Sequence, residues 1–476
     1  MAFVTGKPIV ASLTPQRLNE IVGGKILHEG SEPFSGVSID SRTMRPGELF
    51  VALKGDRFDG HDFLDLALRT GAGAITEGSH SCPEGKTVIL VKNSLRALQD
   101  LARHVRKGFD GPVVGVVGSN GKTTTKELVS SMLCARFEVL RTPGNHNNHI
   151  GMPLAMARCP ENAGVMVLEM GTNRPGDVAE LCGIAEPDIG VITNIGSEHL
   201  EGFGSLGAVR DAELEILPYL KQVVVNADDA FLMEGIDGSF SGAVRTFGVV
   251  SPLATVTARD IVFLEGTTRF TLCADGASIQ VTSHLSGRFN LYNCLAAASA
   301  ALSVGLALDE VKKGIESFRG VEMRFGLEHR HGATFLNDVY NANPSSMEEA
   351  VKELERFAAS SRYGRAIAVL GDMLELGDYA EEAHKSLGRR LSRSPVALFI
   401  GVGPLMSLAV SGFDGKGIAL ADSEEAGAYL NGTVREGDIV LVKGSRGMRM
   451  ERVLAAVRQE EAPPGAQGAR GHSHAL

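Results

Sequence analysis

The stretch Gly115-Val116-Val117-Gly118-Ser119-Asn120-Gly121-Lys122-Thr123-Thr124-Thr125 decides the fold of this 476-residue chain. It follows the apolar residues 112–114, which predict a buried strand, and it leads into a helical pattern over residues 122 to about 134. A strand, a glycine loop, Lys-Thr and a helix together are typical of a nucleoside triphosphate cradle. In such a cradle the lysine contacts the β- and γ-phosphates, and the threonine hydroxyl ligates Mg²⁺.

This loop, residues 118–123, is called the phosphate loop below. It has the short form Gly-x-x-Gly-Lys-Thr, because Val116 stands where the longer pattern has glycine. An ordinary turn before a helix is the alternative. The preceding strand and the additional threonines favour the phosphate site.

Length and composition limit the class of protein. A chain this long suggests about three domains, and its net charge of −10 argues against a general nucleic-acid or membrane-surface binder. No apolar run approaches the ~20 residues of a membrane span, and residues 1–8 lack the apolar core of a signal peptide. The six cysteines are scattered without metal-like spacing. We therefore expect reduced thiols in a cytoplasmic protein.

Residues 1–108 predict a small α/β domain, with strands at 36–40, 49–53, 73–76 and 88–91 and helices at 62–69 and 95–107. Two polar clusters lie here, Asp40-Ser41-Arg42 and residues 54–61. On composition alone both indicate solvated turns.

Residues 109–320 predict a central parallel-sheet domain. Besides the strand before the phosphate loop, strand 165–168 runs into Glu169, and strand 189–193 runs toward His199. Because parallel sheets bind ligands at the carboxyl ends of their strands, Lys122, Glu169 and His199 line one crevice if these strands are neighbours. A carboxylate after an apolar strand needs a cation, which favours Mg²⁺ at Glu169 over an N-cap of the next helix. His199 alone indicates a capping or core histidine.

Three further features of this domain leave alternatives open. The asparagine loop, residues 142–151, is too polar for a strand and either covers the crevice or is an ordinary surface loop. The acidic helix around residues 211–215 predicts a solvated face. Asn290 and Asn293 share a face at the start of a helix that continues through 294–304, where Asn290 either caps the helix or contacts a ligand.

Residues 321–458 alternate strands, at 334–337, 366–370, 397–400, 418–420 and 439–442, with helices at 346–356, 381–391, 423–430 and 448–456. This pattern predicts a second doubly wound, Rossmann-like α/β domain. It contains no second phosphate loop, so we expect it to supply ligands to the first nucleotide site or to hold a second substrate. Residues 459–476 are rich in Pro, Gly and Ala and predict a disordered tail. The predicted fold class is thus α/β with three domains.

Several of these stretches together resemble the Mur ligase family, the ATP-dependent enzymes that add amino acids to the peptidoglycan precursor. The resemblance covers nearly the whole chain except the tail. The phosphate loop and the pair Glu169 and His199 suit the family in general. Lys443-Gly444-Ser445-Arg446 also carries the resemblance. Three more specific stretches are similar to the family members that join D-alanyl-D-alanine to UDP-N-acetylmuramoyl-tripeptide; they are Gly144-Asn145-His146-Asn147-Asn148, Tyr340-Asn341-Ala342-Asn343-Pro344 and Gly371-Asp372-Met373-Leu374-Glu375-Leu376-Gly377. Residues 40–42 and 50–55 look like the family's uridine-nucleotide-binding domain.

The resemblance implies an amide-forming ligase of peptidoglycan synthesis, and thus of cell wall biogenesis, cell shape and cell division. It would use ATP and Mg²⁺ and form an acyl phosphate. Its partners would be small molecules, without nucleic acid or membrane insertion, and it would be a monomer in the cytoplasm. The implied domains are a UDP-muramyl-peptide-binding domain (1–108), an ATP-binding domain (109–320) and a C-terminal ligase domain (321–458).

The resemblance also implies roles for individual residues. The catalytic set would be Lys122, Glu169, His199 and Glu213. The metal ligands would be Thr123, Glu169 and, for a second Mg²⁺, His199. ATP would contact Gly118, Ser119, Asn120, Gly121, Lys122, Thr123 and Thr124, its adenine Asn290 and Asn293, its phosphates Arg324 and its ribose Asp338, the last two when the domains close. The other substrates would contact Ser41, Arg42, Asn145, Asn147, Asn148, Tyr340, Asn341 and Asn343.

Two residues depart from the family pattern. Phe289 stands where relatives usually carry histidine, which alters stacking beside the adenine. Glu213 stands where many relatives have a lysine that becomes carbamylated, and a carbamate turns an ammonium into a carboxylate. We hypothesise that Glu213 supplies that carboxylate directly.

Two other classes of function remain open from the sequence. A second enzyme class is a neighbouring ligase, either the one that adds the third peptide residue or a folylpolyglutamate synthetase, which normally lacks a domain like residues 1–108. A non-enzyme class is a nucleotide-gated switch that binds partners without making an amide.

Overall fold

The computed structural model describes residues 6–360 and 362–457, so the predicted disordered tail at 459–476 lies outside the described residues. The chain divides into two compact units. Unit 1 comprises Met1–His284 and Phe289–Arg319, and unit 2 comprises Leu285–Arg288 and Gly320–Leu476. Within the described ranges, no helix has both the length and the apolar character needed to cross a membrane.

The first part of unit 1, over described residues 6–108, forms a five-stranded sheet in the order β1-β5-β4-β3-β2. β1 is antiparallel to β5, and the other pairs are parallel. The strands are β1 (Lys25–His28), β2 (Gly36–Ser38), β3 (Glu48–Val51), β4 (Gly73–Thr76) and β5 (Thr87–Leu90), and the helices are α1 (Pro15–Val22), α2 (Leu64–Thr70) and α3 (Ser94–Lys107). The predicted strands and helices of this region are confirmed, whereas α1 and β1 were not predicted.

Local sequence explains where α1 starts and ends, although no strong apolar pattern predicted this helix. The Thr14 side chain accepts a hydrogen bond from the Arg17 backbone, Pro15 opens the first turn, and Gly23 ends the helix in a left-handed conformation. The predicted turn at residues 54–61 is also present. It is closed by a bridge between Lys54 and Asp59.

The second part of unit 1, described residues 109–319, forms a nine-stranded sheet in the order β14-β13-β12-β11-β10-β9-β6-β8-β7. Strands β7 to β12 with β6 pair in parallel, and β13 and β14 are antiparallel additions. The strands are β6 (Val113–Val117), β7 (Val139–Arg141), β8 (Val165–Glu169), β9 (Ile189–Ile192), β10 (Gln222–Asn226), β11 (Ala243–Gly248), β12 (Val256–Leu264), β13 (Thr267–Ala274) and β14 (Ala277–Ser283).

The position of β6 decides where the site forms. β6 pairs with β8 on one side and β9 on the other, so the strands that precede Lys122, Glu169 and His199 are neighbours, as the crevice prediction required. Every residue of these three strands is buried, as expected for parallel strands covered by helices on both faces.

The helices of this region are α4 (Lys122–Leu133), α5 (Gly151–Ala157), α6 (Asp177–Ala185), α7 (Leu200–Phe203), α8 (Leu206–Glu213), α9 (Ala230–Ile236), α10 (Arg288–Val304) and α11 (Leu308–Ser317). α10 begins at Arg288, six residues before the predicted continuous segment. Asn290 therefore lies inside the helix, and the alternative that it caps the helix is wrong.

One apolar core joins the two sheets of unit 1. α3 packs against α5 and α6, and polar contacts reinforce this seam. Gln99 donates to the Glu180 carboxylate at 2.8 Å, and the Arg106 guanidinium donates to the Ala185 carbonyl at 2.7 Å. The N-terminal sheet is thus held firmly beside the central sheet.

Unit 2, over described residues 320–360 and 362–457, contains a six-stranded sheet in the order β15-β16-β20-β17-β18-β19. β15 is antiparallel to β16 and the rest are parallel, which confirms the Rossmann-like prediction apart from β15 and α14, which were missed. The elements are β15 (Gly326–Arg330), β16 (Ala333–Asp338), β17 (Ala366–Gly371), β18 (Val396–Val402), β19 (Gly417–Leu420), β20 (Ile439–Lys443), α12 (Pro344–Ala358), α13 (Ala380–Leu391), α14 (Met406–Ser411), α15 (Ser423–Asn431) and α16 (Glu451–Ala456).

Candidate active site

Two glycines shape the phosphate loop between β6 and α4. Gly118 and Gly121 have φ of 115° and 84°, a region that side-chain-bearing residues rarely adopt. A Cβ on Gly118 would also lie 2.3 Å from the Thr193 hydroxyl, and one on Gly121 would lie 2.2 Å from the Asn293 amide oxygen. Both positions therefore require glycine for conformation and for space.

The segment after β9 holds the phosphate loop in place. The Ser119 backbone N–H donates to the Asn194 carbonyl at 2.9 Å, and the Asn120 N–H donates to the Asn194 side-chain oxygen at 3.1 Å. The Gly196 N–H donates to the Ser119 hydroxyl at 2.8 Å, and the Thr193 hydroxyl donates to the Asn120 carbonyl at 2.7 Å. The loop is thus shaped in advance by its neighbouring strand.

Lys122 folds back onto the loop that precedes it. Its ammonium donates to the Gly118 carbonyl at 2.5 Å and to the Ser119 carbonyl at 3.3 Å, and it pairs with Glu198 at 3.2 Å. Burial alone would lower the pKa of Lys122, but the nearby carboxylates outweigh it and raise the pKa above its usual value. The lysine therefore carries a positive charge in the crevice.

Glu169 meets the start of α4 through one carboxylate oxygen. Oε1 accepts from the Thr123 hydroxyl at 3.1 Å and from the Asn147 amide at 2.9 Å. Oε2 is buried and finds no hydrogen-bond partner among the described residues, although the Lys126 ammonium lies 3.7 Å away. The alternative that Glu169 caps the next helix is wrong, because α6 begins at Asp177 after Gly176.

Glu213 is the second carboxylate of the crevice. It is fully buried, its Oε2 accepts from the Gly118 N–H at 2.7 Å, and its Oε1 has no hydrogen-bond partner within the described ranges. Burial raises the pKa of Glu213 to about 7, Glu198 adds to the rise, and Lys122 opposes it. The prediction that this acidic helix is a solvated face is therefore wrong at Glu213.

The same prediction also fails at Glu215. Its carboxylate accepts from the Gly176 N–H at 2.7 Å and from the Ala179 N–H at 3.1 Å. These donors belong to the first turn of α6, so Glu215 stabilises the N-terminus of that helix.

His199 begins α7 in a left-handed conformation, with φ of 48°. Within the described chain its side chain makes no capping hydrogen bond to that helix, so a capping role is wrong. Its positive form would lower the pKa of both Glu198 and Glu213, so the imidazole lies within electrostatic range of both carboxylates.

The chemistry of these groups fits Mg²⁺. No cluster of three or more His, Cys, Asp or Glu side chains that could hold a metal occurs in residues 6–360 and 362–457. Mg²⁺ usually takes one or two carboxylates together with hydroxyl, water and substrate phosphate oxygens. The Thr123 hydroxyl and the unpartnered oxygens of Glu169 and Glu213 supply what the protein itself would have to contribute.

α10 brings Asn290 and Asn293 to the phosphate loop. The Asn293 amide donates to the Asn290 side-chain oxygen at 3.1 Å, and the Thr125 hydroxyl donates to the Asn293 oxygen at 3.4 Å. Both asparagines are buried. The structure thus places this pair against α4, beside the residues predicted to hold phosphate.

The three asparagines of the asparagine loop differ in their surroundings. Asn147 bonds Glu169, as described above. The Asn148 side chain accepts from the N–H groups of Gly151 and Ile150 at 2.8 and 3.2 Å, which stabilises the start of α5. Asn145 is exposed. The structure therefore brings Asn147 directly to the crevice and gives Asn148 a structural contact.

Ser41 and Arg42 follow β2 in the N-terminal sheet. The exposed Arg42 guanidinium donates to both oxygens of Asp40, at 2.9 and 2.7 Å, and this bidentate contact lowers the pKa of Asp40. The turn is thus ordered by its own charges.

In unit 2, side chains at and just after the end of β20 form hydrogen bonds to the predicted residues at and after the end of β16. The Lys443 ammonium donates to Asp338 at 2.6 Å and to the Asn341 carbonyl at 2.9 Å. The Ser445 hydroxyl donates to the Ala342 carbonyl at 3.0 Å. Asn343 caps α12 by accepting from the Ser346 N–H at 2.8 Å.

Arg324 and Tyr340 form a second feature of unit 2. The Arg324 guanidinium carbon lies 4.0 Å from the centroid of the Tyr340 ring, a cation–π contact. Its Nε is buried and has no hydrogen-bond partner in the described part of the chain. The Nε donor therefore remains available to an anion.

Two buried charges of unit 1 were missed by the sequence reasoning. Glu198 pairs with Lys122, and its place directly before His199 was the available signal. Burial raises the pKa of Glu198 even against the effect of Lys122. Lys126 lies one turn after Lys122 on the same side of α4, and this spacing was the signal that it also faces the crevice.

Comparison with known proteins identifies the family. Models of the Mur ligase family match successive parts of the chain: the Mur ligase family, catalytic domain at residues 33–106, the Mur ligase middle domain at 116–301, and the Mur ligase, glutamate ligase domain at 323–446. The UDP-N-acetylmuramoyl-tripeptide--D-alanyl-D-alanine ligase of Bacillus subtilis (strain 168) is 34% identical over 453 residues, which cover 93% of this chain and 97% of that one. The chain belongs to the Mur ligase family. The ligase of the same name from Escherichia coli (strain K12) is also 34% identical, over 94% of this chain and 99% of its own.

Solved structures of Mur ligases agree with this membership. MurF from Acinetobacter baumannii superposes with a TM-score of 0.85 at 30% identity, covering 93% of this chain and 98% of that chain. MurF from Thermotoga maritima in complex with ADP gives a TM-score of 0.78 at 33% identity, covering 88% and 96%. The Mur ligase match over residues 33–106 disfavours a folylpolyglutamate synthetase, which normally lacks such a region.

Proposed function

We propose that this Mur ligase joins D-alanyl-D-alanine to UDP-N-acetylmuramoyl-tripeptide at the expense of ATP, in peptidoglycan precursor synthesis. One observation carries the proposal. The Thr123 hydroxyl bonds one oxygen of the Glu169 carboxylate beside the phosphate loop, and the other oxygen has no hydrogen-bond partner among the described residues. The near full-length similarity to ligases of that name supports the choice of substrates.

The reaction has two steps. The terminal carboxylate of the tripeptide attacks the γ-phosphorus of ATP, which forms an acyl phosphate and releases ADP. The amine of D-alanyl-D-alanine then attacks the acyl carbon, an amide bond forms, and phosphate leaves with the bonding electrons. Because the attacking carboxylate and the triphosphate repel each other, catalysis depends on positioning and charge neutralisation.

Lys122 supplies the mobile positive charge of the first step. Its ammonium exchanges the Gly118 carbonyl and Glu198 for β- and γ-phosphate oxygens, which places the charge beside the phosphoryl group in transfer. The rigid backbone from Gly118 to Gly121 aligns the phosphates for attack. Asn290 and Asn293 lie beside this loop and contact the adenine.

Thr123 and Glu169 would hold one Mg²⁺, and His199 with Glu213 a second, which would supply positive charge to the phosphate oxygens. Glu213 fills directly the place that a carbamylated lysine takes in many relatives. Its carboxylate is already fixed by the Gly118 N–H through Oε2, and Oε1, which has no hydrogen-bond partner among the described residues, would be the oxygen that holds the metal.

The other substrates are assigned to the remaining predicted residues. Ser41 and Arg42 contact the uridine nucleotide, and the asparagine loop contacts the muramyl peptide. In unit 2 the proposed ATP contacts are Arg324, through phosphate, and Asp338, through ribose; the proposed substrate contacts are Tyr340, Asn341 and Asn343. Residues 1–108, 109–320 and 321–458 are proposed as the three functional domains of a monomer that acts in the cytoplasm.

A mass measurement tests the proposal. The protein is incubated with ATP, Mg²⁺, UDP-N-acetylmuramoyl-tripeptide and D-alanyl-D-alanine, and the expected product has the summed mass of the two substrates less one water. ADP and phosphate should appear in equal amounts. Parallel reactions offer the dipeptide precursor with a free diamino acid, or a folate with glutamate. Product in one of these alone would assign a neighbouring ligase instead, and nucleotide binding without any amide would assign a switch.

A further inference from the structure

Lys126 is a lysine with no exposed surface, and it is one of the largest fully buried side chains of the described chain. Lysine is almost never fully buried unless its charge is paired and bonded. It lies on α4 one turn after Lys122, but no step of the proposed reaction uses it. Its contacts therefore need an explanation of their own.

Two of these contacts hold the beginning of the asparagine loop. The Lys126 ammonium donates to the Thr142 carbonyl at 2.7 Å and to the Gly144 carbonyl at 3.2 Å. Thr142 in turn accepts, through its hydroxyl, the backbone N–H of Glu169 at 2.9 Å. The ammonium thus fixes the backbone immediately before Asn145 and Asn147.

Its other two contacts are charges. Glu127 Oε1 lies 2.9 Å from the ammonium, and Glu169 Oε2 lies 3.7 Å away. Glu127 also pairs with Arg141 at 3.0 Å, at the end of β7. Lys126 is therefore the cation that faces the otherwise unpartnered oxygen of the proposed metal ligand.

We infer that Lys126 is a positioning residue that couples the nucleotide site to the muramyl-peptide site. The inference rests on the proposed function. The asparagine loop is held at its start by Lys126 and in its middle by the bond from Asn147 to Glu169, so both attachments converge on one carboxylate. A shift of Glu169 when Mg²⁺ and ATP bind is passed to the loop through both, and binding of one substrate changes the affinity for the other.

The variant Lys126→Met tests this coupling in the full-length enzyme, because it keeps most of the length of the side chain and removes the charge and its donors. We expect the KM for UDP-N-acetylmuramoyl-tripeptide and the Mg²⁺ concentration for half-maximal rate each to rise about 10-fold or more, as for other residues that support a metal ligand. At saturating Mg²⁺ the KM for ATP should change less than about 3-fold, since the phosphate loop keeps its own contacts. Equal changes in all the substrate constants would overturn the inference.

Ser130→Ala is the matched control. Ser130 is equally buried on the same helix, and its hydroxyl bonds only the Lys126 carbonyl, at 2.8 Å. Within the described residues it has no hydrogen bond or ion pair to Glu169 or to the asparagine loop, so all kinetic constants should stay within about 2-fold of the parent enzyme. A change as large as that of Lys126→Met would show a general effect of α4 packing and would contradict the inference.

A binding cycle separates coupling from simple structural support. The affinity for UDP-N-acetylmuramoyl-tripeptide is measured by calorimetry with and without a non-hydrolysable ATP analogue and Mg²⁺. The ratio of the two affinities should exceed 1 in the parent enzyme and move toward 1 in Lys126→Met. An unchanged ratio would overturn the inference, whereas a parent enzyme that makes no amide would overturn the proposed function instead.

Lys126→Gln and Asn147→Ala keep the test decisive if Lys126→Met does not fold. The glutamine amide can still donate to a loop carbonyl but no longer holds the Glu169 carboxylate in position, so we expect the Mg²⁺ requirement to rise more than the KM for the muramyl peptide. Combining Lys126→Gln with Asn147→Ala should give less than the product of the separate effects, because both act on Glu169. If the effect of the double variant equals the product of the two single effects, the two residues do not act through the same carboxylate, and the inference is contradicted.

Discussion

In the central sheet, the crevice beside β6 contains two buried carboxylates that each keep one oxygen without a hydrogen-bond partner among the described residues, Glu169 and Glu213. In the sheet of unit 2, the corresponding strand ends bond one another. Lys443 pairs with Asp338, Ser445 bonds Ala342, and the Asp372 carboxylate accepts from the Met406 N–H at 2.6 Å. Both sheets are mainly parallel, but the polar groups at their strand ends differ in how many have a hydrogen-bond partner within the protein.

This difference separates groups that await a ligand from groups that support the fold. A buried polar atom without a partner costs about 1–3 kcal/mol, so two such carboxylate oxygens in one crevice indicate a place where a ligand completes them. Most polar groups at the strand ends of unit 2 are bonded internally; among the described residues the exceptions there are Asn337 Oδ1 and, beside the strands, Arg324 Nε. Substitutions in the central crevice should therefore alter activity with little loss of stability, whereas those in the bonded cluster of unit 2 should lower stability whatever they do to substrate binding.

The largest effect is expected at Lys122. Lys122→Ala removes the charge that contacts the transferring phosphate, and we expect kcat/KM to fall at least about 10³-fold, or about 4 kcal/mol. The fall in kcat/KM is measured by the rate of phosphate release with all substrates present. Lys352→Ala, an exposed lysine of α12, is the control and should retain full activity. More than a tenth of parent activity in Lys122→Ala would show that this edge is not the phosphate site.

A stability effect of similar size is expected at Lys443. Lys443→Met leaves the largely buried Asp338 without its cation, and unfolding by denaturant should show a loss of about 3 kcal/mol. The double variant Lys443→Met/Asp338→Leu should recover most of that loss, because no charge is left unpaired. A single variant within about 0.5 kcal/mol of the parent protein would contradict the supporting role assigned to this pair.

At Glu213 the comparison predicts loss of activity without loss of stability. Glu213→Ala should lower kcat by about 10- to 100-fold, while its unfolding free energy stays level or rises, because a buried carboxylate is removed. The parent enzyme should not respond to added bicarbonate. Glu213→Lys offers the sharpest check, since its activity should depend on bicarbonate if a carbamate takes the same place. Full activity of Glu213→Ala would end the hypothesis.

The smallest expected effect is a pH dependence of the unfolding free energy that arises from His384 in unit 2. His384 is buried, its Nε2 accepts from the Met373 N–H at 3.0 Å, and its Nδ1 faces the Ala380 carbonyl at 2.6 Å, so it is neutral. Burial lowers the pKa of His384, although Ala380 and the charge of Asp372 oppose this. Because the unfolded chain then binds the proton more tightly, this contribution to stability is complete above about pH 6.5 and is lost as the pH falls toward the folded-state pKa.

His384→Gln isolates that contribution from other titrating groups. The parent protein should lose more unfolding free energy than the variant between pH 7 and the acid limit, by no more than about 1.4 kcal/mol per pH unit for one proton. Denaturant unfolding at a series of pH values measures the difference. Parallel curves would show that His384 titrates alike in the folded and unfolded chain.

Much of the fold followed from the sequence because valine-rich strands and glycine loops have strong local signatures. β4 was predicted with its observed bounds and β8 and β9 to within one residue, whereas β6 continues three residues beyond the predicted 112–114. β1 and β15 were missed because they are only partly buried edge strands, whose composition lacks a continuous apolar run.

The site was predictable where residues follow strands and not where helices bring them together. Glu169 and His199 were located from strand ends. The burial of Glu213 depends on how α8 packs, which no local pattern encodes. Sequence position could have pointed to Glu198 and Lys126 but could not have shown that both are buried. Asn148 and Asn343 were predicted as substrate contacts, and the structure gives each a helix-capping bond as well, so substrate contact stays a prediction for both.

The bond from Lys122 to Glu198 has a consequence for inhibitor design. A compound that imitates the triphosphate can bind the Lys122 ammonium only by displacing the Glu198 carboxylate and the Gly118 carbonyl, which already contact it. Its net affinity is therefore smaller than a count of its charges suggests, and it falls further as salt screens the exchange. A neutral compound that leaves the Lys122–Glu198 pair in place and bonds the Asn290–Asn293 edge avoids that exchange, which makes an uncharged scaffold the more economical starting point against this enzyme.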